Sequence, residues 1–346
     1  MKFLKLYFSF SCVIFLLASS CSNDSKESVE NEKAVDSILN VINEQLKDEV
    51  NNDSLYVLRA ERYFALGEYE YAFNDIIRAI NLDSKNCEYH CTYSRFYLDL
   101  KKYNEGKQVL DNILKVNSEC TCAVLMLADI AFVYRDFNQS IKYIDEVLKV
   151  DMYNPDAYFK KGLNFLALND SNKAISSFQT AVEQNPKFVE SYINLGVLYA
   201  GKRNPLAEEY YKTALQLDST RYEVHYNLAM YYQENEMINE ALKKYTQLTK
   251  KYPSKRELYF NMGYIHLVKL KLYREAIDYF NQAIAVDPNY FEAYFNKGYC
   301  LELLGDIMNA EEEYKKSLEI KPEYTPAALG LGRVRGELDI NNQPIK

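Results

Sequence analysis

The sequence predicts an all-α fold made of helix pairs arranged in tandem. Two observations lead to this prediction: a unit of about 34 residues recurs along the chain, and small side chains recur at two fixed places within it. The chain has 346 residues, of which 48% are hydrophobic. A fixed period of this length indicates many copies of one supersecondary unit rather than two or three unrelated domains.

The repeat is visible when two segments are aligned. One reads AYFNKGYCLELLGDIMNAEEEYKKSLEIKP from Ala293, and the other reads AYFKKGLNFLALNDSNKAISSFQTAVEQNP from Ala157. They share an aromatic residue, Gly four residues later, Ala twelve further on, an aromatic four after that, and a final Pro. Extending this register gives eight units, which are 53–86, 87–120, 121–154, 155–188, 189–221, 222–255, 256–290 and 291–324.

Small residues occupy two positions of every unit. Position 8 holds Ala60, Ser94, Ala128, Gly162, Gly196, Ala229, Gly263 and Gly298, and position 20 holds Ala72, Gly106, Ser140, Ala174, Ala207, Ala241, Ala276 and Ala310. The fifth unit is one residue short and the seventh one residue long, so each slips by one before position 20. Because small side chains let two helices approach closely, this pattern predicts a tightly packed helix hairpin in each unit.

The period and the pattern together resemble the tetratricopeptide repeat, over about four fifths of the chain. The resemblance implies a right-handed α-α superhelix, whose first helices line a concave groove. Tyr or His stands at most of the positions where that family favours Trp. Outside the repeats we expect a lead-in helix over 33–52, with an apolar stripe that includes Leu39, Ile42 and Leu46, a capping helix over 325–338, and a frayed tail over 339–346.

The first 32 residues are typical of an export signal followed by a tether. Lys2 and Lys5 precede a mostly apolar stretch over 6–17, which is too short to span a bilayer as a helix. The following residues, LASSC, resemble the lipobox of bacterial lipoproteins, with Ala18 where that family more often has Leu. This resemblance implies cleavage after residue 20 and acylation of Cys21. An ordinary signal peptide that leaves Cys21 as a free thiol is the alternative. Residues 21–32 are expected to form a flexible tether.

Composition argues against several classes of function. The formal net charge is −8, so the chain lacks the basic surface that nucleic-acid binders use. The three His residues fall at repeat positions 4 and 11, where the family packs its core, and almost every Gly is used by the repeat or the cap. No nucleophile–His arrangement or phosphate-binding loop remains. We therefore expect no enzyme activity, no cofactor and no metal.

Four cysteines cluster in the second and third units. Cys87 and Cys91 lie four residues apart on one helix face, and Cys120 and Cys122 begin the next unit. In an oxidising compartment such a cluster suggests disulfides, with Cys91–Cys122 as the preferred pair and Cys87–Cys120 as the second. Free thiols and a metal site remain alternatives, although the spacing differs from the usual zinc patterns.

The resemblance also selects groove residues. Position 6 forms a series of amides, Asn194, Asn227, Asn261 and Asn296, and similar Asn ladders bind extended peptides in relatives of this family. Next to them, position 5 is apolar and includes Tyr226, Phe260 and Phe295. Position 2 is mostly acidic, which either complements basic groups of a ligand or simply stabilises the helix starts.

We therefore expect a membrane-anchored scaffold that binds a protein or an extended peptide in its groove. Its place would be the cell envelope, at the outer membrane, with a role in envelope assembly or regulation. The alternative is a glycan- or cell-wall-binding lipoprotein that uses exposed Tyr residues. In either case the partners would be a macromolecular ligand and, through the lipid anchor, the membrane, with no nucleic acid.

Overall fold

A computed structural model describes residues 25–343, with side chains from Ser37 onward. This part of the chain contains eighteen α-helices and no strand, which confirms the all-α prediction. None of these helices is both long enough and apolar enough to cross a membrane. The predicted signal peptide over 1–20 and the acylated Cys21 lie outside the described residues.

The helices follow the repeat closely. The lead-in helix is α1 (Ser25–Asp48). The first helices of the repeats are α2 (Asp53–Ala65), α4 (Cys87–Asp99), α6 (Thr121–Val133), α8 (Pro155–Ala167), α10 (Val189–Gly201), α12 (Tyr222–Glu234), α14 (Arg256–Tyr264) and α16 (Phe291–Leu303). The second helices are α3 (Tyr69–Leu82), α5 (Tyr103–Val116), α7 (Phe137–Val150), α9 (Ser171–Gln184), α11 (Leu206–Leu217), α13 (Ile238–Lys251), α15 (Tyr273–Val286) and α17 (Ile307–Ile320), and α18 (Thr325–Val334) follows the last repeat. Each first helix begins at the first residue of a predicted unit.

The described chain separates into two compact units, one ending at Ile130 and the other beginning at Ala131. In the first unit, α1 packs on α2 and buries Ile42 and Leu46 against Tyr56. In the second unit, consecutive helices from α7 to α18 contact one another in chain order, so each hairpin packs on its neighbours. Burial of each hairpin's apolar face by the next one is what stabilises a repeat array.

The core of each repeat includes the side chain at position 24, on the second helix. The side chain at position 24 is at most 2% exposed in all eight repeats, and these residues are Ile76, Leu110, Ile144, Phe178, Tyr211, Tyr245, Phe280 and Tyr314. In the repeats with Gly at position 8, the ring lies directly on the glycine. A Cβ added to Gly196, for example, would be 2.5 Å from the Tyr211 ring. The glycines therefore make the space that an aromatic residue at position 24 requires.

The turn between the two helices has the same backbone conformation in every repeat. Its central residue is left-handed in all eight, although only Gly67 and Gly305 are glycines; the others are Lys101, Arg135, Asn169, Arg203, Glu236 and Lys271. In seven of the turns the next amide bonds back to a carbonyl five residues earlier, as Glu68 does to Tyr63 at 2.9 Å, and after the π-helical segment the Leu272 amide bonds to the His266 carbonyl, six residues earlier. This Schellman-type bond ends the first helix and fixes the direction of the second.

The two repeats of irregular length differ from the others in the length of one helix. In the 33-residue repeat, α11 has 12 residues where the other second helices have 14. In the 35-residue repeat, α14 continues into a π-helical segment, Ile265–Leu270, whose wider turn accommodates the additional residue. Both repeats therefore keep their small residues and their position-24 ring in the core.

Three expected boundaries differ from the structure. Helix α1 runs over Ser25–Asp48 rather than 33–52, so it begins inside the segment expected to be a tether, where an acidic and Lys-containing stretch includes several helix-forming residues, and it ends four residues earlier than expected. Helix α18 ends at Val334, because Gly336 adopts a left-handed conformation. Residues 339–343 are turned rather than frayed, since the Asp339 carboxylate accepts the amides of Asn341 and Gln343, each at 2.8 Å.

The glycine–ring contact leads to a stability prediction with an internal control. Gly196→Ala should destabilise the second unit by about 1–3 kcal/mol, since the new methyl group overlaps the Tyr211 ring. Gly201→Ala, at the end of the same helix, meets nothing within 4 Å and should be neutral or stabilising by up to about 1 kcal/mol. Urea denaturation followed by circular dichroism measures both. Equal effects of the two substitutions would contradict this packing.

Candidate functional site

The first helices of the second unit present a continuous row of partly exposed apolar side chains. Two of these first helices contact the next helix on the same side of the array, since α10 adjoins α12 and α16 adjoins α18. At repeat positions 5 and 9 all ten side chains are half-buried, and they are Phe159, Leu163, Ile193, Val197, Tyr226, Met230, Phe260, Tyr264, Phe295 and Tyr299. We call this set the apolar row.

The buried side of the apolar row joins neighbouring repeats. The Phe260 ring lies 5.7 Å from that of Phe280 and 5.0 Å from that of Tyr290, the residue immediately before the first helix of the next repeat. Phe295 repeats this arrangement with Tyr314 and Tyr324 at 5.9 and 5.5 Å. Each ring thus has a buried edge that holds the repeats together and an exposed edge that faces solvent, where a ligand can bind.

The four amides at position 6 do not form a uniform ladder. Asn194 and Asn296 donate to the backbone carbonyls of Glu190 and Glu292, one turn earlier, at 2.8 and 2.7 Å. Such bonds occupy one donor of each side chain with the helix itself. Asn296 is also 9% exposed, so little of its amide reaches the surface.

Asn261 is built into the core between two repeats. It is 6% exposed, and its amide donates to the hydroxyls of Tyr226 and Tyr245 at 3.1 and 3.2 Å. The Tyr245 hydroxyl in turn donates to Gln233 at 3.1 Å. Asn227 is the exception in this part of the chain, because its half-buried amide has no hydrogen-bond partner among the described residues. Of the four predicted amides, Asn227 is therefore the one best placed to contact a ligand.

Three of the acidic residues at position 2 have hydrogen-bond partners within the protein. The Arg221 guanidinium donates to the Glu190 carboxylate at 2.7 Å and to that of Glu223 at 3.3 Å. The Tyr222 hydroxyl donates to Glu257 at 2.8 Å. These contacts link successive first helices, so the acids serve the stacking of repeats as well as the helix starts.

Glu292 differs from Glu190 and Glu257 because burial affects the ionisation of its carboxyl group. Burial raises the pKa of its carboxyl group, and the nearby positive charges of Arg256 and Lys321 act in the opposite direction. The Arg256 guanidinium also lies over the Tyr290 ring, 4.3 Å from its centre. The apolar row is therefore bordered by balanced charge rather than by free carboxylates that would attract a basic ligand.

The His residues act as structural hydrogen-bonding groups. At position 4, the His90 and His225 rings contact the carbonyls of Ser84 and Ser219, six residues earlier, at 3.1 and 3.0 Å. Tyr56 makes the same contact through its hydroxyl, to the Val50 carbonyl at 3.0 Å. His and Tyr are thus interchangeable here because each reaches the loop that precedes the helix. Burial lowers the pKa of His225.

The cysteine cluster lies in the first unit. The structure joins Cys87 to Cys120 and Cys91 to Cys122, with Cα–Cα distances of 5.7 and 6.5 Å. These distances are within the range that disulfides span. Cys300 lies apart as a buried thiol in the core of the second unit, and burial raises its pKa to about 12.

A second apolar surface was not anticipated from the sequence. In the last two repeats, the turns between first and second helix expose seven large apolar side chains, which are Val268, Leu270, Leu272, Leu303, Leu304, Ile307 and Met308. Met308 is the most exposed of the seven, at 82%. The sequence does contain a sign of this surface. The adjacent pairs Leu303-Leu304 and Ile307-Met308 flank Gly305, and apolar pairs on both sides of an exposed turn are unusual.

Helix pairs that stack through small residues define this chain as an α-solenoid repeat protein. Family models described as tetratricopeptide repeats match residues 159–221, 223–255, 257–290 and 279–312. A model for subunit 3 of the anaphase-promoting complex, or cyclosome, matches residues 34–113. The chain therefore carries tetratricopeptide repeats.

Two curated relatives and one solved structure illustrate the similarity. Protein O-mannosyl-transferase TMTC1 of Homo sapiens is 23% identical over 45% of this chain and 18% of its own length. The type IV pilus assembly protein PilF of Pseudomonas aeruginosa is 27% identical over 36% of this chain and 50% of its own length. A tetratricopeptide repeat protein from Parabacteroides merdae aligns with a TM-score of 0.50 and 14% identity, over 72% of this chain and 98% of that one, and supports the fold. The chain thus spans half or less of these curated relatives.

The different environments of the amides lead to a second prediction. Asn261→Ala should destabilise the protein by about 1–3 kcal/mol, because it leaves two buried tyrosine hydroxyls without their donor. Asn227→Ala should change stability by no more than about 0.5 kcal/mol. Thermal denaturation of both variants provides the comparison. A stable Asn261→Ala variant would show that its amide is not part of the core.

Proposed function

We propose that this chain is a lipid-anchored scaffold of the cell envelope that binds a protein or an extended peptide along its apolar row. The observation that carries the proposal is the row itself, since ten side chains of the first helices are left half-exposed along one series of helices. Partly exposed apolar surface of this extent is typical of a partner site. Tetratricopeptide repeats are a known framework for such interactions.

The surroundings of the row suggest the chemistry of the ligand. Because the acids at position 2 already pair with Arg221 and Tyr222, a strongly basic ligand gains little. The exposed ring edges favour apolar side chains, and the Asn227 amide can both donate to and accept from a peptide backbone. The ligand that fits best is an extended segment with apolar side chains at intervals, bound by its backbone and by those side chains.

The envelope role rests on two supports. The sequence up to Cys21 resembles a lipoprotein signal, and acylation would fix the repeats near a membrane surface. The similarity to PilF, whose name describes it as a type IV pilus assembly protein, favours a part in building an envelope structure. We place the chain at the outer membrane and assign it no catalytic step, since the rings of its His residues contact backbone carbonyls.

Binding along the apolar row predicts a specific loss of partner capture. A double variant, Asn227→Ala with Tyr264→Ser, should reduce capture about tenfold or more, because truncating an aromatic contact in an interface often costs more than 1 kcal/mol. Tyr264 is half-buried and has no ring partner among the described residues, so the fold should tolerate the change. Photo-crosslinking in cells, followed by affinity capture and mass spectrometry, measures the effect.

The matched control for this experiment is Tyr153→Ser. Tyr153 is 66% exposed and precedes α8, outside the apolar row. Capture should be unchanged in this variant. Equal capture by the double variant and the wild type would refute binding along the row. Binding of peptidoglycan fragments that survives the double variant but is lost with Tyr153→Ser would favour the glycan-binding alternative.

The lipid anchor is tested separately. Cys21→Ser should abolish incorporation of labelled palmitate and should move the protein from the membrane fraction to the soluble fraction, since the acyl chains would be the anchor. Cys300→Ser serves as the control, because Cys300 is buried in the repeat core and should not affect acylation. Unchanged labelling of the Cys21→Ser variant would exclude acylation at this residue.

A further inference from the structure

Four sulfur atoms from two neighbouring repeats meet in the first unit. Cys87 is the first residue of α4, and Cys91 lies one turn further along that helix. Cys120 immediately precedes α6, and Cys122 is its second residue. The sulfurs of Cys91, Cys120 and Cys122 all lie within 4.8 Å of one another, and Cys87 joins them through Cys120. We call these four residues the sulfur cluster.

We propose that the sulfur cluster is a redox-gated binding site for one thiophilic metal ion, such as Zn²⁺. When the two cysteine pairs are oxidised, the sulfurs form disulfides and the site is closed. When they are reduced, the four thiolates surround a single ion. This function is independent of partner binding along the apolar row, because the cluster belongs to the first unit and the row to the second.

The distances suit a tetrahedral ion. A Zn–S bond of about 2.3 Å places neighbouring sulfurs of a tetrahedral site about 3.8 Å apart. The Cys120 and Cys122 sulfurs already stand at 3.6 Å, although no bond joins them. The sulfurs of each bonded pair need only separate upon reduction. Three of the cysteines lie on the regular helices α4 and α6 and Cys120 directly precedes α6, so the backbone holds the four sulfurs in one place while their side chains rotate toward an ion.

The local environment favours ionised sulfur, the form that binds metal. Both α4 and α6 are 13-residue helices that point their N-termini at the cluster, and the positive end of a helix stabilises an adjacent thiolate. The Asn117 side-chain amide lies 3.2 Å from the Cys87 sulfur, and a donor in this position supports a metal-bound thiolate. Neither feature is required by a pair of purely structural disulfides.

The four cysteines differ in their exposure to solvent. Cys91 and Cys120 are 6% and 2% exposed, whereas Cys87 and Cys122 are only half-buried. Each pair therefore combines one buried sulfur with one that solvent reaches. An ion or a small reductant can approach from the side of Cys87 and Cys122, and the buried sulfurs then hold the ion away from competing water.

The redox step balances with a dithiol as reductant. Each disulfide receives two electrons and two protons from one dithiol, which closes to its own cyclic disulfide. Two dithiols thus convert the cluster into four thiols. Binding of the divalent ion then releases up to four protons from these thiols, as thiolate ligation requires. Reoxidation by O₂, which takes up the four electrons and four protons and leaves as two water molecules, converts the four thiolates to two disulfides and releases the ion.

The test uses the full chain with Cys12→Ser, Cys21→Ser and Cys300→Ser, so that the sulfur cluster supplies every remaining thiol. The chain is reduced with dithiothreitol, freed of reductant under argon and titrated with Cd²⁺, whose thiolate charge-transfer absorbance reports sulfur ligation. Native mass spectrometry counts the bound ions. We expect one Cd²⁺ per reduced chain and none on the same chain after air oxidation.

Cys91→Ser in this background should weaken Cd²⁺ binding about tenfold or more, and restoring Cys300 should leave it unchanged. If Cys91→Ser loses helical circular dichroism, Cys87→Ser at a half-exposed position provides the same readout. The proposal would be overturned by a reduced chain that binds no Cd²⁺, by equal binding to the oxidised chain, or by unchanged affinity in the folded Cys-to-Ser variants.

Discussion

The aromatic repeats depend on one contact, in which the ring at position 24 of the second helix packs against the small residue at position 8 of the first. The contact sets how closely the two helices approach, and the stacking of one hairpin on the next requires that this distance stay constant. In the first three repeats Ile or Leu packs where position 8 is Ala or Ser. From the fourth repeat onward the residue is Phe or Tyr, and position 8 is Gly in four repeats out of five. An aromatic residue at position 24 therefore occurs together with Gly at position 8 in every such repeat except the one with Ala229 and Tyr245.

This packing also creates the candidate binding surface. The rings at position 24 contact aromatic residues at position 5, as Phe280 does Phe260 and Tyr314 does Phe295. Phe260 and Phe295 then use one edge to hold the next repeat and leave the other exposed. A side chain with both tasks is sensitive to substitution in two ways, through stability and through binding. For that reason Asn227 and Tyr264, which make no such contacts, are the better probes of function.

The repeats could be predicted from the sequence because the close approach of two neighbouring helices requires small residues at fixed spacing. The small residues at positions 8 and 20, which recur in all eight units, were sufficient to place every hairpin. The sequence could not show that Asn261 is buried, because its environment depends on the hydroxyls of Tyr226 and Tyr245 in the preceding repeat. Nor could it show that Arg221 neutralises Glu190 across 31 residues of chain. The left-handed Lys, Arg and Glu residues in the turns were likewise hidden, because the turn imposes a conformation that their own preferences do not reveal.

The most direct test of this account is a double-mutant cycle that converts the core of one aromatic repeat to the aliphatic type of the first three repeats. Gly196→Ala and Tyr211→Leu are made singly and together, and the free energy of unfolding is measured by urea denaturation with circular dichroism. If the two positions share one packing volume, the smaller Leu side chain makes room for the Ala methyl group. The double variant should then be more stable than the sum of the single effects by about 1–3 kcal/mol. Strictly additive effects would show that the contact between positions 8 and 24 does not set the helix spacing.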